Sequence, residues 1–143
     1  MPKTMVDMHR VARQGKVEEV AACLEDVGVD DYDGVSNLTA LHTACEYNKL
    51  EVAKLLLSRK ADPNIISMIS SPPLVHAAKH GNVELVQALL DGGADPKIRK
   101  SLIAAQSGDA GTFPKDLAAN PECRAAIEAA EEKWEQKDTA VAG

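Results

Sequence analysis

Aromatic residues are scarce in this sequence: they make up 3% of the chain, with a single Phe and a single Trp. Apolar residues nevertheless amount to 45% of the 143 residues, so Ala, Leu and Val must build the core. Sandwiches and barrels rely on β-branched and aromatic residues along their strands, whereas Ala and Leu suit closely packed helices. The composition therefore predicts a helical chain that forms one domain or one short repeat array.

The chain also lacks an excess of positive charge. Its 16 Lys and Arg residues are outnumbered by 22 Asp and Glu residues, which gives a formal net charge of -6. Proteins that bind a phosphate backbone need concentrated positive charge. Anionic membrane surfaces attract polybasic segments for the same reason. Nucleic acid and membranes are therefore not expected as partners.

Cysteine is rare, and its spacing matches no metal-binding or disulfide motif. Cys23, Cys45 and Cys123 lie far apart and no CxxC pair occurs, which argues against a zinc knuckle or a disulfide framework. Buried, reduced thiols are typical of intracellular proteins. No long uncharged apolar run occurs, and the N-terminal residues lack the apolar core of a secretory signal. We therefore expect a soluble cytoplasmic protein, with the nucleus as a second compartment.

The sequence does contain a repeat with a period of 33 residues. Gly15, Asn48 and Gly81 are separated by this distance each time. Agreement of several further columns at one period predicts a stacked repeat architecture. The same step relates Val17, Leu50 and Val83; Glu18, Glu51 and Glu84; Cys23, Leu56 and Leu89; Leu24, Leu57 and Leu90; and Ala12, Cys45 and Ala78.

Each unit is expected to consist of two helices joined by a tight turn. In the second unit, Thr39 is placed to cap a first helix that begins at Ala40 and ends near Asn48, a residue type that tolerates left-handed backbone. A second helix begins at Leu50, with apolar residues at helical spacing, and stops near Ser58. One such pair cannot bury its apolar face alone, so neighbouring units must stack.

These motifs resemble those of the ankyrin-repeat family. Thr39-Ala-Leu-His-Thr-Ala-Cys45 is similar to the family's TPLHxAA opening, and Lys60-Ala-Asp-Pro-Asn64 is similar to its GADPN loop. Gly111-Thr-Phe-Pro-Lys-Asp-Leu-Ala118 resembles the GxTPxDLA of closing repeats. The resemblance implies an all-α solenoid of about four helix-turn-helix units with short hairpin loops. The expected domain covers residues 1–137, with units at about 4–33, 34–66, 67–98 and 111–137, an insert at 98–111, and a flexible tail at 138–143.

Two departures from the family pattern concern the hairpins. In the family, the histidine at the position of His42 ties the hairpin backbone to the start of the helix, but the third unit has Val75 there. The resemblance therefore implies a missing link near residues 65–72, which a Val75→His replacement would restore. Asn37 and Ser70 stand where the family has a turn glycine, and Asn accepts that backbone better than Ser.

Candidates for catalysis or metal binding are few. His76 and His80 lie four residues apart on an expected helix, a spacing that can hold a metal, but neither a third ligand nor an HExxH pattern accompanies them. His42 with Cys45 could form a base and a nucleophile, yet both lie at core positions of the repeat. A metal-dependent regulator or enzyme that uses His76 and His80 is the alternative function. The leading expectation is a protein that is not an enzyme and needs no cofactor or metal.

The resemblance places the partner-binding surface on the concave face, which the hairpin tips and the ends of the first helices form. Exposed apolar residues in a turn reduce solubility and favour binding, so Met68 and Ile69 are candidate contacts. Packing of Ile65, Ile66 and Ile69 between hairpins is the alternative interpretation. We expect a monomer that binds another protein as an adaptor, inhibitor or assembly factor. The candidate partner-binding residues are Arg13, Gln14, Leu38, Glu46, Tyr47, Met68, Ile69, Lys79 and His80.

Overall fold

The computed structural model of this chain describes residues 1–32, 36–98 and 113–142, with side chains up to residue 136. Every regular element in these residues is helical, which confirms the predicted fold class. In chain order the elements are α1 (Met5–Gln14), α2 (Val17–Cys23), α3 (Ala40–Glu46), α4 (Leu50–Ser58), α5 (Pro73–His80), α6 (Val83–Asp91), a 3₁₀ turn (Pro114–Leu117) and α7 (Pro121–Ala142).

The helices begin and end where the sequence places its caps and turns. Thr39 caps α3, because its hydroxyl accepts a hydrogen bond from the backbone N–H of His42. Gly15, Asn48 and Gly81 each follow a first helix in left-handed backbone, with φ of 76°, 57° and 73°. Glycine and asparagine reach this conformation at little cost, so the chain can turn sharply and pack the second helix against the first.

The helices stack in two rows. The first helices α1, α3 and α5 pack side by side and are followed by the 3₁₀ turn, while the second helices α2, α4 and α6 are followed by α7. Equivalent apolar positions enter one continuous core: Leu41 and Leu74 are fully buried from the first row, and Leu56 and Leu89 from the second. Each unit therefore completes the core of its neighbours, as expected for a solenoid.

Polar contacts link the loops of successive units on the same side of the stack. The backbone N–H of Asp62 donates to the Asp30 carboxylate at 2.8 Å, and the backbone N–H of Asp95 donates to the Asn64 side chain at 2.7 Å. These contacts join groups about one repeat apart. The loops are therefore tethered to each other as well as to their own helices.

The fourth unit closes the stack with less regular structure. Its first helix is reduced to the 3₁₀ turn, and Asn120 caps α7 by accepting from the Cys123 N–H at 2.8 Å. Helix α7 continues to Ala142, so the tail boundary expected at residue 138 does not coincide with a helix end. Residues 99–111 of the expected insert lie outside the described residues, and the residue limits of the four units stay a prediction.

Candidate protein-binding face

We use the term first-helix face for the solvent-exposed side of α1, α3 and α5 together with the hairpin segments that precede α3 and α5. Three apolar candidate side chains are exposed on it: Tyr47 by 45%, Met68 by 64% and Ile69 by 72%. Leu38 is half-buried. The remaining candidates are polar and exposed: Arg13, Gln14, Glu46, Lys79 and His80.

The structure brings four of the candidates together around one open recess between α1 and α3. The Arg13 guanidinium lies over the Tyr47 ring, 5.9 Å from its centroid, a distance within the range of cation–π contacts. Leu38 and Glu46 line the same recess, whose volume is about 470 Å³. An aromatic ring and a leucine therefore share a concave, partly apolar site with two side chains of opposite charge.

Four residues of this recess were not predicted from the sequence: Val6, His9, Arg10 and Thr43. Val6 is 77% exposed and precedes Arg10 by one helical turn. By the 33-residue period, Val6 is equivalent to Thr39, which is buried in the second unit. The available signal was helical spacing, because Val6, Arg10 and Arg13 lie at positions i, i+4 and i+7 of α1 and therefore share one face.

The hairpin tip before α5 is held in place although its apolar side chains are exposed. The buried Ser67 hydroxyl donates to the Ser36 carbonyl at 2.9 Å and accepts from the backbone N–H groups of Ile69 and Ser70, both at 3.2 Å. The Met68 N–H also donates to the Ser36 carbonyl, at 2.8 Å. Hairpin-to-hairpin packing therefore uses the backbone and Ser67, and the Ile69 side chain stays free for solvent or a partner.

The remaining candidates, His80, Lys79 and Gln14, do not line the recess between α1 and α3. The His80 Nε2 atom lies 2.7 Å from the Glu46 backbone carbonyl, which places the end of α5 beside the end of α3. Lys79 is exposed next to it. Gln14 lines a separate depression with Asn48 at the turn between the helices. The structure therefore does not bring Gln14 together with the Arg13–Tyr47 pair.

His76 and His80, the pair considered for a metal, have their rings engaged by two different groups. The His76 Nε2 atom lies 2.8 Å from the Ser70 hydroxyl, whereas His80 meets the carbonyl at the end of α3. Burial lowers the pKa of His76 to about 4, and repulsion from His42, Lys79 and His80 adds to this shift. Across residues 1–32, 36–98 and 113–136, no cluster of three or more His, Cys, Asp or Glu side chains could hold a metal ion.

The second chemical pair, His42 with Cys45, lies inside the core. The His42 Nδ1 atom lies 2.8 Å from the Thr39 hydroxyl and accepts from the Thr39 N–H at 3.2 Å. Burial lowers the pKa of His42 to about 4, while the Ile65 backbone opposes the shift. Burial also raises the pKa of the Cys45 thiol. Both groups are therefore neutral at pH 7, and His42 serves to cap α3 beneath the hairpin.

A family model described as ankyrin repeats (many copies) matches residues 41–90, which span the second and third helix pairs. The chain carries ankyrin repeats over these residues. The crystal structure of the human ASB11 ankyrin repeat domain superposes with a TM-score of 0.70 and 29% sequence identity, over 87% of this ankyrin-repeat chain and 52% of that chain. Ankyrin repeats generally serve as protein–protein interaction modules.

The relatives of this chain match it over a small part of their own length. Palmitoyltransferase AKR1 of Lachancea kluyveri is 35% identical over 94 residues, 63% of this ankyrin-repeat chain and 13% of that protein. The probable E3 ubiquitin-protein ligase XBOS31 of Oryza sativa subsp. japonica is 36% identical over 91 residues, 62% of this chain and 20% of that protein. The chain thus spans a fifth or less of these relatives. None of its described helices is both long and apolar enough to cross a membrane.

Proposed function

We propose that this chain is a protein-interaction module that holds a partner protein on the first-helix face and acts as an adaptor, inhibitor or assembly factor. The observation that carries the proposal is the exposure of Tyr47, Met68 and Ile69 on tethered backbone. Aromatic residues and methionine are enriched at interface cores, where a few residues supply most of the binding energy.

The scaffold beneath these side chains favours binding without rearrangement. The tip that carries Met68 and Ile69 is fixed by Ser67, and the Tyr47 ring is covered on one side by the Arg13 guanidinium. Side chains held in place before binding lose less conformational entropy in the complex. The charges of Arg13, Glu46 and Lys79 would set the orientation of the partner and its rate of encounter.

The proposal is tested by capture of partner proteins from the cells that make this chain, with mass spectrometry as the readout. The Tyr47→Ala/Met68→Ala variant should retain the helical circular dichroism spectrum. Its affinity for the captured partner should fall by about 30-fold or more, as expected when central interface residues are replaced. The matched control is Lys54→Ala/Gln87→Ala, which changes exposed residues of α4 and α6. This control should bind as the wild type does.

The opposite pattern would move the binding site to the other row of helices. If Lys54→Ala/Gln87→Ala abolishes capture while Tyr47→Ala/Met68→Ala does not, the partner uses the second helices, and the first-helix face is not the interface. If both variants capture the same proteins as the wild type, neither face is needed.

A further inference from the structure

The first helices carry a small net positive charge, whereas the second helices together are acidic. Helices α1, α3 and α5 carry three cations, Arg10, Arg13 and Lys79, and two carboxylates, Asp7 and Glu46. Helices α2 and α6 carry four carboxylates and no Lys or Arg, and α4 carries one carboxylate and one Lys. In a chain of net charge -6, the first helices thus offer local attraction to an acidic partner.

The recess between α1 and α3 concentrates this positive charge beside apolar surface. Arg10 and Arg13 lie three residues apart on α1, and side chains at this spacing are neighbours about 5–6 Å apart on one helix face. Both line the recess together with the exposed side chains of Val6 and Tyr47 and the half-buried Leu38. The arginines make one edge of the recess cationic, and His9 and Thr43, whose Nδ1 and Oγ1 atoms lie 2.7 Å apart, complete its lining.

The two arginines are not equally available. Arg10 lies 3.2 Å from the Asp7 carboxylate, which also accepts from the Thr4 N–H at 3.0 Å. Within the described part of the chain, Arg13 has no carboxylate partner and stacks on the Tyr47 ring instead. A guanidinium can lie over a ring and still use its N–H groups, and its planar fork suits bidentate recognition of a carboxylate.

We propose that this recess binds an acidic segment of a partner protein in which carboxylates flank one aliphatic or aromatic side chain. The apolar side chain enters the space between Val6, Leu38 and Tyr47, and the carboxylates meet Arg13 and then Arg10. This inference rests on the proposed function, because it names the class of partner for the same face.

Two other occupants fit the observations less well. A nucleic acid would find only two neighbouring arginines on a chain of net charge -6, and phosphate-backbone affinity grows with the number of cations engaged. A second copy of the chain could offer the exposed glutamates of α7, Glu128, Glu132 and Glu135, to the same arginines. The apolar side chains of Val6, Leu38 and Tyr47 favour a peptide side chain, and self-association is an outcome that the experiment separates.

Glu46 allows the sign of the charge on the bound segment to be tested. Glu46 lines the recess from α3, whereas both arginines line it from α1, so its carboxylate repels an acidic segment that the arginines attract. Replacing Glu46 with Gln should therefore tighten the binding of an acidic peptide. A basic or neutral segment would instead lose affinity or be unaffected.

The experiment selects random peptides displayed on phage against the immobilised full chain and measures the affinity of one selected synthetic peptide by fluorescence anisotropy. Selected peptides should be enriched in Asp and Glu next to Leu, Ile, Phe or Trp. Arg10→Gln/Arg13→Gln should weaken binding about tenfold or more, and Val6→Ser about threefold or more. Glu46→Gln should tighten it, and the matched control Lys54→Gln/Arg59→Gln should change it by less than about twofold.

Other results would overturn the inference in distinguishable ways. If basic or uncharged peptides are enriched and still shift the NMR signals of Tyr47, the proposed function is supported. The inference that the partner segment is acidic is then wrong. A second copy would be the occupant if light scattering shows that the wild type is a dimer and that Arg10→Gln/Arg13→Gln is a monomer. In that case the acidic peptide should not dissociate the wild-type dimer. If no peptide is enriched, or if enriched peptides leave Tyr47 unshifted, the recess is not a peptide site.

Discussion

In the second unit, Thr39 and His42 close the start of α3 through contacts between the two residues themselves. In the third unit, α5 begins after Pro72, whose side chain offers no acceptor. There His76, one residue beyond the position equivalent to His42, reaches back to the Ser70 hydroxyl at 2.8 Å. In these two units a histidine of the first helix thus contacts a hydroxyl at or before the helix start, His42 that of Thr39 and His76 that of Ser70.

The two units keep the same shape because their apolar positions are unchanged. Leu41 and Leu74 are buried equally, as are Leu56 and Leu89, although the polar contacts around them differ. Burial of a leucine contributes roughly 1.5–3 kcal/mol, whereas a typical hydrogen bond contributes about 0.5–1.5 kcal/mol net. The apolar pattern therefore determines the repeat, and the polar link is free to change between units.

The largest expected effects test whether the two units are equivalent in their cores. Leu56→Ala and Leu89→Ala should each reduce the free energy of unfolding by about 2–5 kcal/mol, because both side chains are fully buried. Urea denaturation followed by circular dichroism measures both. Val83→Ala, at a position that is 38% exposed, is the control and should cost less than about 1 kcal/mol. Small losses at both leucines would contradict the shared core described above.

The fold was accessible from the sequence because its signals are local and repeated. The period placed the turns at Gly15, Asn48 and Gly81, and all three have left-handed backbone. Asn37, predicted to replace a turn glycine, has φ of 57°. Each of these residues takes its conformation from its own chemistry and from the helix before it, so no knowledge of distant contacts was needed.

The parts that the sequence could not supply depend on contacts between segments. The resemblance implied a missing link in the third unit, but the Ser70–His76 contact is visible only once the hairpin is built. Val75 is fully buried and Pro72 stands at the position equivalent to Thr39, so a histidine at residue 75 would enter the core without the hydroxyl that His42 contacts. Likewise, the 77% exposure of Val6 depends on which segments pack against the start of α1.

The next effect in size is a pH dependence that distinguishes the two histidines. Both have a pKa of about 4 in the fold instead of the ordinary 6.5, so the unfolded chain binds more protons than the folded chain between these values. Stability is therefore fully present above pH 6.5 and falls as the pH drops toward 4. His42 should account for up to about 3 kcal/mol of this loss, and His76 for less, because it is partly exposed.

Urea midpoints at several pH values between 7.5 and 4.5 measure this dependence for the wild type, His42→Gln and His76→Gln. Each substitution should flatten the slope of stability against pH, His42→Gln the more strongly. The Gln side chain retains hydrogen-bonding groups without titrating, so the change in slope separates protonation from the loss of packing. If both variants kept the wild-type slope of stability against pH, the fold would not keep either ring neutral.

The smallest expected effects compare the two polar links directly. Thr39→Ala removes the cap of α3 in a buried setting and should cost about 0.5–2 kcal/mol of unfolding free energy. Ser70→Ala removes the partner of His76 at a half-buried site, where water can replace the lost contact, and should cost about 0.5 kcal/mol. Ser58→Ala, which loses an exposed hydroxyl at the end of α4, serves as the control and should stay within about 0.5 kcal/mol of the wild type. Thermal and urea denaturation of the three variants rank them. If Ser70→Ala proves costlier than Thr39→Ala, the third unit depends on its histidine link more than the second does, and the apolar core alone does not hold its hairpin in place.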